Sequence, residues 1–196
     1  MTYDQRLDHL LSTAVRTFAD KGFFATTMRD LSRETGMSLA GMYYYVTGKE
    51  ELLALIQKRT FSDVLEGAES AVKSANDPIE GLKRLIHHHV TFFAEHMDEM
   101  KVLSQEAESL SETWQVKIDS LKRRYVELMT EVLEAVDRGD PGSVPPRVAA
   151  YALFGMMNWI YTWYDVQGSI SPDELAQHFT EIYLQGIARS APSVTG

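Results

Sequence analysis

The chain has 196 residues, 44% of them hydrophobic and 24% charged, which is the composition of a folded globular protein with room for one sizeable core or a small domain joined to a larger one. It has no cysteine, so disulfides, thiolate metal sites and cysteine nucleophiles are excluded; no run of about 18 apolar residues and no signal-peptide pattern is present, so no membrane partner and a cytoplasmic location are expected. A net charge of −9 opposes nucleic acid as a partner for the whole chain, yet residues 1–50 carry Arg6, Arg16, Lys21, Arg29, Arg33 and Lys49 against Asp4, Asp8, Asp20, Asp30, Glu34 and Glu50, so the deficit lies after residue 50.

Leu7, Leu10, Leu11, Ala14, Val15 and Phe18 recur at helical spacing over residues 4–21, and Lys21-Gly22 closes the pattern. Thr27-Met28-Arg29-Asp30 reads as a capping box that opens a short helix over about 28–35, ended by Gly36. Ser38 is the expected N-cap of a third helix closing at Val46, and Thr47-Gly48-Lys49-Glu50 the expected capping box of a fourth. Helix, glycine-containing turn, helix is the helix-turn-helix layout, with Met28, Leu31, Met42 and Val46 available to pack on Phe18 and Leu11. Tyr43, Tyr44 and Tyr45 then need an account, because consecutive helical residues point about 100° apart and cannot all face inward. On residue type alone, Tyr43 and Tyr45 can be boundary residues bonded to neighbouring helices.

Residues 51–74 form a long amphipathic pattern, broken at NDPIEGL, where Asp77, Pro78 and Glu80 supply cap, first helical position and box partner for a fifth helix reaching His96. A short segment over 98–107, a helix over 111–137, a loop at DRGDPGSVPP, a helix over 146–166 and a ninth helix over 172–189, capped by Ser171, Pro172 and Glu174, complete the chain. No useful strand alternation appears, so the fold class is all-α with nine helices: a helix-turn-helix domain over 1–50 and a second helical domain over 51–196. His87, His88 and His89 are adjacent on a helix, whereas metal ligands on a helix need spacings of three or four, so no metal site is expected. No nucleophile elbow or phosphate loop is present, so neither an enzyme nor a cofactor is expected. Phe61, Leu65, Phe93, Met97, Leu103, Trp114, Ile118, Tyr125 and Met129 can be plain core or the lining of an apolar cavity, and His89, facing as Phe93 does, can offer a polar group to a ligand.

The stretch FADKGFFATTMRDLSRETGMSLAGMYYYVTGKEELL resembles the DNA-binding domain of the tetracycline-repressor (TetR) family of bacterial transcription regulators. That resemblance implies a recognition helix in the major groove of a double-stranded DNA operator. That helix would run from Ser38 to Tyr45, with Ala40 and Gly41 allowing close backbone approach, Tyr44 and Tyr45 reaching base edges or sugars, and Tyr43 at a phosphate. Thr27 and Lys49 would meet phosphates at helix starts, with Arg29 as a further contact. Many relatives carry a basic residue where this chain has Leu39 and Phe where it has Val46; Leu39 is left to touch a thymine methyl or to pack. The second domain would then enclose a small hydrophobic effector. A second, weaker resemblance, in YALFGMMNWIYTWYDVQGSISPDELAQHFTEIYLQGI, is to TetR members that govern lipid catabolism and respond to acyl-CoA thioesters, with Asn158, Trp159 and Trp163 near the ligand or in an aromatic interface. It also implies a homodimer through Phe154, Gly155, Leu175, Phe179, Ile182 and Tyr183. The function implied is a ligand-released repressor; a drug-responsive regulator or a ligand-activated activator is the alternative.

Overall fold

The computed structural model describes residues 2–106, 109–137 and 143–188, with side chains to residue 185. Among them are nine α-helices and no strand: α1 Tyr3–Lys21, α2 Met28–Thr35, α3 Leu39–Tyr43, α4 Lys49–Lys73, α5 Pro78–Glu95, α6 Met97–Gln105, α7 Glu112–Asp137, α8 Pro146–Asn158 and α9 Pro172–Ala188, with a 3-10 turn at Trp159–Thr162. The expected loop at DRGDPGSVPP, the end of the sixth segment at residue 107 and the last residue of the ninth helix fall wholly or partly outside the described residues.

Two compact units share these helices. The first is Met1–Ser62 with His96–Leu121, the second Asp63–Glu95 with Lys122–Gly196, so the division differs from a single cut after residue 50. In the first unit Leu10, Ala14, Phe18, Leu31, Met42, Val46, Leu53, Val102 and Ile118 form one buried cluster, which is why α6 and the first turns of α7 fold with the helix-turn-helix. Hydrogen bonds reinforce the apolar packing. The buried Glu106, just past α6, accepts the Phe23 N–H at 3.2 Å and the Ser109 hydroxyl at 2.6 Å, while Gln57 Nε2 donates to the Glu106 carbonyl at 3.1 Å. Glu50 accepts the Ser111 N–H at 2.8 Å, and hydrogen bonding from Ser111, through its side chain first and its backbone second, holds the Glu50 carboxyl below the usual range.

That bond removes Glu50 from the capping role read in the sequence. Lys49 is the first residue of α4, so the third helical position is Glu51, whose carboxylate accepts both the N–H (2.7 Å) and the hydroxyl (2.8 Å) of Thr47. The α8 pattern also ends earlier than expected, at Asn158 rather than 166. Beyond it come aromatic and β-branched residues of modest helix propensity. Ile160 is fully buried and the Tyr164 hydroxyl donates to the Ile170 carbonyl at 2.9 Å, so burial and a local bond turn the chain where periodicity alone would extend the helix.

In the second unit α5 packs on α9, and α5 also lies close to α4 at one glycine. A Cβ built on Gly67 would stand 2.2 Å from His88 Cε1, and His88 Nε2–H donates to the Val64 carbonyl at 3.0 Å. Gly67→Ala is therefore expected to destabilise the fold by roughly 1–3 kcal/mol, more than the gain of about 1 kcal/mol from helix propensity. In denaturant titrations the Gly67→Ala/His88→Ala double variant should lose much less than the sum of the single variants; additive losses would place the strain elsewhere.

Candidate DNA interface and buried polar cluster

The turn into α2 is built by one carboxylate. Asp30 Oδ2 accepts the Thr27 N–H at 2.9 Å and the Thr27 hydroxyl at 2.7 Å, the Asp30 N–H donates back to Thr27 Oγ1 at 3.2 Å, and Lys21 and Arg33 lie at 3.1 and 2.8 Å from Oδ1. The Thr27 bonds, chiefly, and the two cations hold the Asp30 carboxyl far below its ordinary range. Thr27 is thus occupied by its own cap. The N–H groups of Met28 and Arg29 in the first turn, and the Arg29 guanidinium, exposed and without a partner among the described residues, remain for an anion.

Lys49, expected at a phosphate, is turned inward. Its ammonium donates to the carbonyls of Phe23 (2.8 Å), Phe24 (3.3 Å) and Thr26 (3.0 Å) and stands 4.5 Å from the Phe23 ring centre. With Glu106 on the Phe23 N–H, the loop between α1 and α2 is gripped at both its donor and its acceptor groups. Sequence reasoning missed this because a lysine at a helix start is equally suited to solvent, phosphate or carbonyls, and only the tertiary path of the loop decides.

α3 divides by side. Ala40, Tyr43 and Tyr44, spaced three and four apart, form one exposed face, with Tyr43 53% and Tyr44 74% accessible. Met42, Tyr45 and Val46 form the opposite face, with Met42 and Val46 in the core and Tyr45 half-buried against it. Tyr45, expected at bases, instead lies against Tyr3 of α1, ring centres 4.7 Å apart. Leu39 and Gly41 are half-buried, and the exposed Ser38 accepts the Gly41 N–H at 3.1 Å while its own hydroxyl proton stays available. Tyr3 lies outside the motif, and nothing in its sequence spacing marks it as part of this surface.

The candidate effector residues divide between the units. Phe61, Met97, Leu103, Trp114 and Ile118 belong to the first, where Leu103 and Ile118 are buried and Phe61 and Trp114 edge the core. Leu65, His89, Phe93, Tyr125, Met129, Asn158, Trp159 and Trp163 belong to the second. There a polar cluster forms, with His89 and Tyr125 buried and Asn158 exposed at its edge: the Tyr125 hydroxyl donates to His89 Nδ1 at 2.8 Å, and His89 Nε2–H donates to Asn158 Oδ1 at 3.0 Å, the tautomer that a carbonyl acceptor requires. Phe93, Tyr125 and Phe154 surround the imidazole at ring-centre distances of 4.8, 5.7 and 5.6 Å. Burial pushes the His89 pKa down to about 3 and the Tyr125 phenol well up, so both are neutral near pH 7. Leu65, Met129 and Phe93 are buried, while Trp159, at 60%, and Trp163 are exposed. An open cleft of about 300 Å³ is lined by α4, α5 and α7 residues including Val72, Pro78, Leu128 and Val132; none of the candidate effector residues lines it.

The predicted dimer residues also divide. Phe154, Leu175 and Phe179 are buried within the chain, Phe154 on His89 and Tyr125, Phe179 beside Trp163. Gly155 and Ile182 are exposed, and Tyr183 is half-buried with its hydroxyl lacking a hydrogen-bond partner among the described residues, its pKa pushed up to about 12 by burial. The outward face of α8 carries Val148, Tyr151, Gly155 and, just past its end, Trp159, at helical spacing.

Residues 10–56 match the family model for bacterial regulatory proteins of the tetR family, and residues 75–187, more than half of the chain, match that for the tetracyclin repressor-like C-terminal domain. The chain belongs to the TetR family. It is similar to the HTH-type transcriptional repressor KstR2 of Mycolicibacterium smegmatis, 27% identical over 191 residues covering 94% of this chain and 92% of that one. The crystal structure of the TetR family regulator PfmR from Thermus thermophilus superposes with a TM-score of 0.83 at 29% identity, over 92% of this chain and 99% of that one. AibR, solved in complex with isovaleryl coenzyme A and operator DNA, superposes with a TM-score of 0.81 at 27% identity, over 90% and 97%. This TetR-family chain is a transcriptional regulator whose helix-turn-helix is its DNA-binding element. None of its described helices is long and apolar enough to cross a membrane.

Proposed function

We propose that this regulator is a repressor working in the cytoplasm as a homodimer that binds an inverted-repeat operator, and that an acyl-CoA or fatty-acid-like effector releases it. The observation that carries the DNA half is the outward face Ala40, Tyr43, Tyr44 beside an α2 start with free N–H groups and an unpaired Arg29. Ala40 allows close approach to base edges, Tyr44 reads them, and Tyr43, Arg29 and the Ser38 hydroxyl take phosphates. Two such faces about 34–36 Å apart match successive major grooves. The exposed α8 face, with Ile182 of α9, supports self-association by apolar burial at a symmetric interface. The likeness to AibR supports an acyl thioester as effector, and the amide N–H group of Asn158, at the exposed edge of the cluster with His89 and Tyr125, is a neutral donor suited to an uncharged carbonyl.

Effector and operator are coupled by linkage: an effector that weakens operator binding tenfold is itself bound tenfold more weakly in the DNA complex. The test starts from DNA selected out of a random pool by the wild-type protein, followed by titration of isovaleryl-CoA, longer acyl-CoAs and free fatty acids. Release by an acyl-CoA supports the proposal; unchanged affinity at saturation by every bound compound refutes the coupling, and tighter binding reassigns the chain as an activator. On the same DNA, Tyr43→Phe should weaken binding by about 0.5–1.5 kcal/mol, equally for all sequences, as loss of one hydrogen bond. Tyr44→Ala should also change the bases preferred. Wild-type profiles for both variants would contradict the assigned face.

A further inference from the structure

Tyr44 is the most exposed of the three consecutive tyrosines, and an aromatic side chain pointing into water has two freely turning torsions. Here it has two ring neighbours. Its centre lies 5.2 Å from Tyr45 at an interplanar angle of 87°, and 6.0 Å from Tyr3 at 74°, both edge-to-face arrangements of the kind that aromatic quadrupoles favour. Tyr3 also lies on Tyr45, at 4.7 Å and 39°, so one ring braces both members of the pair.

Tyr3 is itself anchored. It is the first residue of α1, enclosed by a capping box in which the Gln5 N–H donates to Thr2 Oγ1 at 3.3 Å and the Thr2 N–H donates to Gln5 Oε1 at 2.9 Å. That box closes the first turn of α1 at the very edge of the helix, and its structural consequence is a fixed Cα–Cβ direction for Tyr3. Half of Tyr3 remains exposed, on the surface that Tyr44 shares. Its contribution to core packing is therefore small, while its contacts with the two tyrosines are direct.

We propose that Tyr3 is a positioning residue for sequence recognition: it holds the Tyr44 ring in the orientation that meets the base edges, by bracing Tyr44 directly and through Tyr45. The inference rests on the reading that α3 carries the DNA-reading face, and adds a residue from α1 that touches no base itself. Its phenol oxygen has no part in the role, so the ring alone suffices.

The experiment is a double-variant cycle on the full-length protein with the selected DNA and with a scrambled duplex, thermal midpoints being recorded alongside. Tyr3→Ala should weaken binding to the selected site about three- to tenfold and flatten its base preference, leaving scrambled-duplex affinity and the thermal midpoint near wild type. Tyr3→Phe should behave as wild type. In the Tyr44→Ala background, Tyr3→Ala should have no further effect, because the residue it positions is gone. Additive losses, an equal loss on scrambled DNA, or a Tyr3→Phe defect matching that of Tyr3→Ala would overturn the proposal, the last by indicating a direct hydroxyl contact. A wild-type Tyr44→Ala would remove the α3 reading and this proposal together, whereas an impaired Tyr44→Ala with a wild-type Tyr3→Ala would remove this proposal alone.

Discussion

Gly155→Arg is expected to leave a folded monomer that has lost operator binding. A Cβ on Gly155 meets nothing within 4 Å, and the residue lies inside α8 on its outward face, so the chain by itself has space for a longer side chain and gains helix propensity. In the proposed dimer the same position is flanked by Tyr151 and Trp159, and a guanidinium there would be buried without a partner at each of two symmetric places. Loss of the dimer forfeits the second half-site, which is worth roughly 10²–10⁴ in affinity through effective concentration alone. Sedimentation gives the mass and anisotropy the affinity. A variant that remains dimeric with unaltered operator binding would move the interface away from α8.

Acid should destabilise the protein from about pH 6.5 downward, with His89 as the main cause. Its folded pKa, near 3, lies below the ordinary value of 6.5, so between those values the unfolded chain binds a proton that the folded chain refuses. Stability therefore rises with pH across this window and is lost as pH falls. For one such histidine the loss from pH 6.5 to 4.5 is roughly 2 kcal/mol. His88, also lowered by burial, adds to the slope with the same sign. The carboxyls of Asp30, Glu50, Glu80 and Glu174, all held low, give up their stabilisation only below about pH 4.5, so the upper window isolates the histidines. His89→Gln keeps a side chain that can donate to Asn158 and accept from Tyr125 but has no proton to gain. Urea titrations at pH 7 and pH 5 should show most of the wild-type difference disappear in this variant, and an equal difference in both would assign the acid sensitivity elsewhere.

Most helix limits were legible because they rest on local chemistry: the Thr27–Asp30 box, Gly22 and Gly36 at positive φ, Ser38 on the Gly41 N–H and Pro172 after Ser171 each work within a few residues. The misreadings have a common form. Glu50 matched a capping pattern but found Ser111, and Glu51 took the cap; the aromatic run after Asn158 kept helical spacing but was turned by burial of Ile160. Lys49, at a phosphate by the resemblance, has three carbonyls as its partners within the chain. In each case a residue's type permits several partners, and the one chosen comes from elsewhere in the chain.

The candidate DNA face divides the same way. Periodicity determined that the three consecutive tyrosines at and just past the end of α3 could not share a side and, with no strand alternation, that the fold is all-α; the flanking motif pointed to the family. Only the tertiary structure decided that Tyr43 and Tyr44 face outward while Tyr45 turns to Tyr3, that Leu175 and Phe179 are core while Tyr151, Trp159 and Ile182 are surface, and that His89, Tyr125 and Asn158 bond to one another. The physical reason is range: caps and amphipathic spacing are set by neighbours within one or two helical turns. Which ring, carbonyl or carboxylate a side chain meets depends on how helices pack, and packing distances are not written in any local pattern.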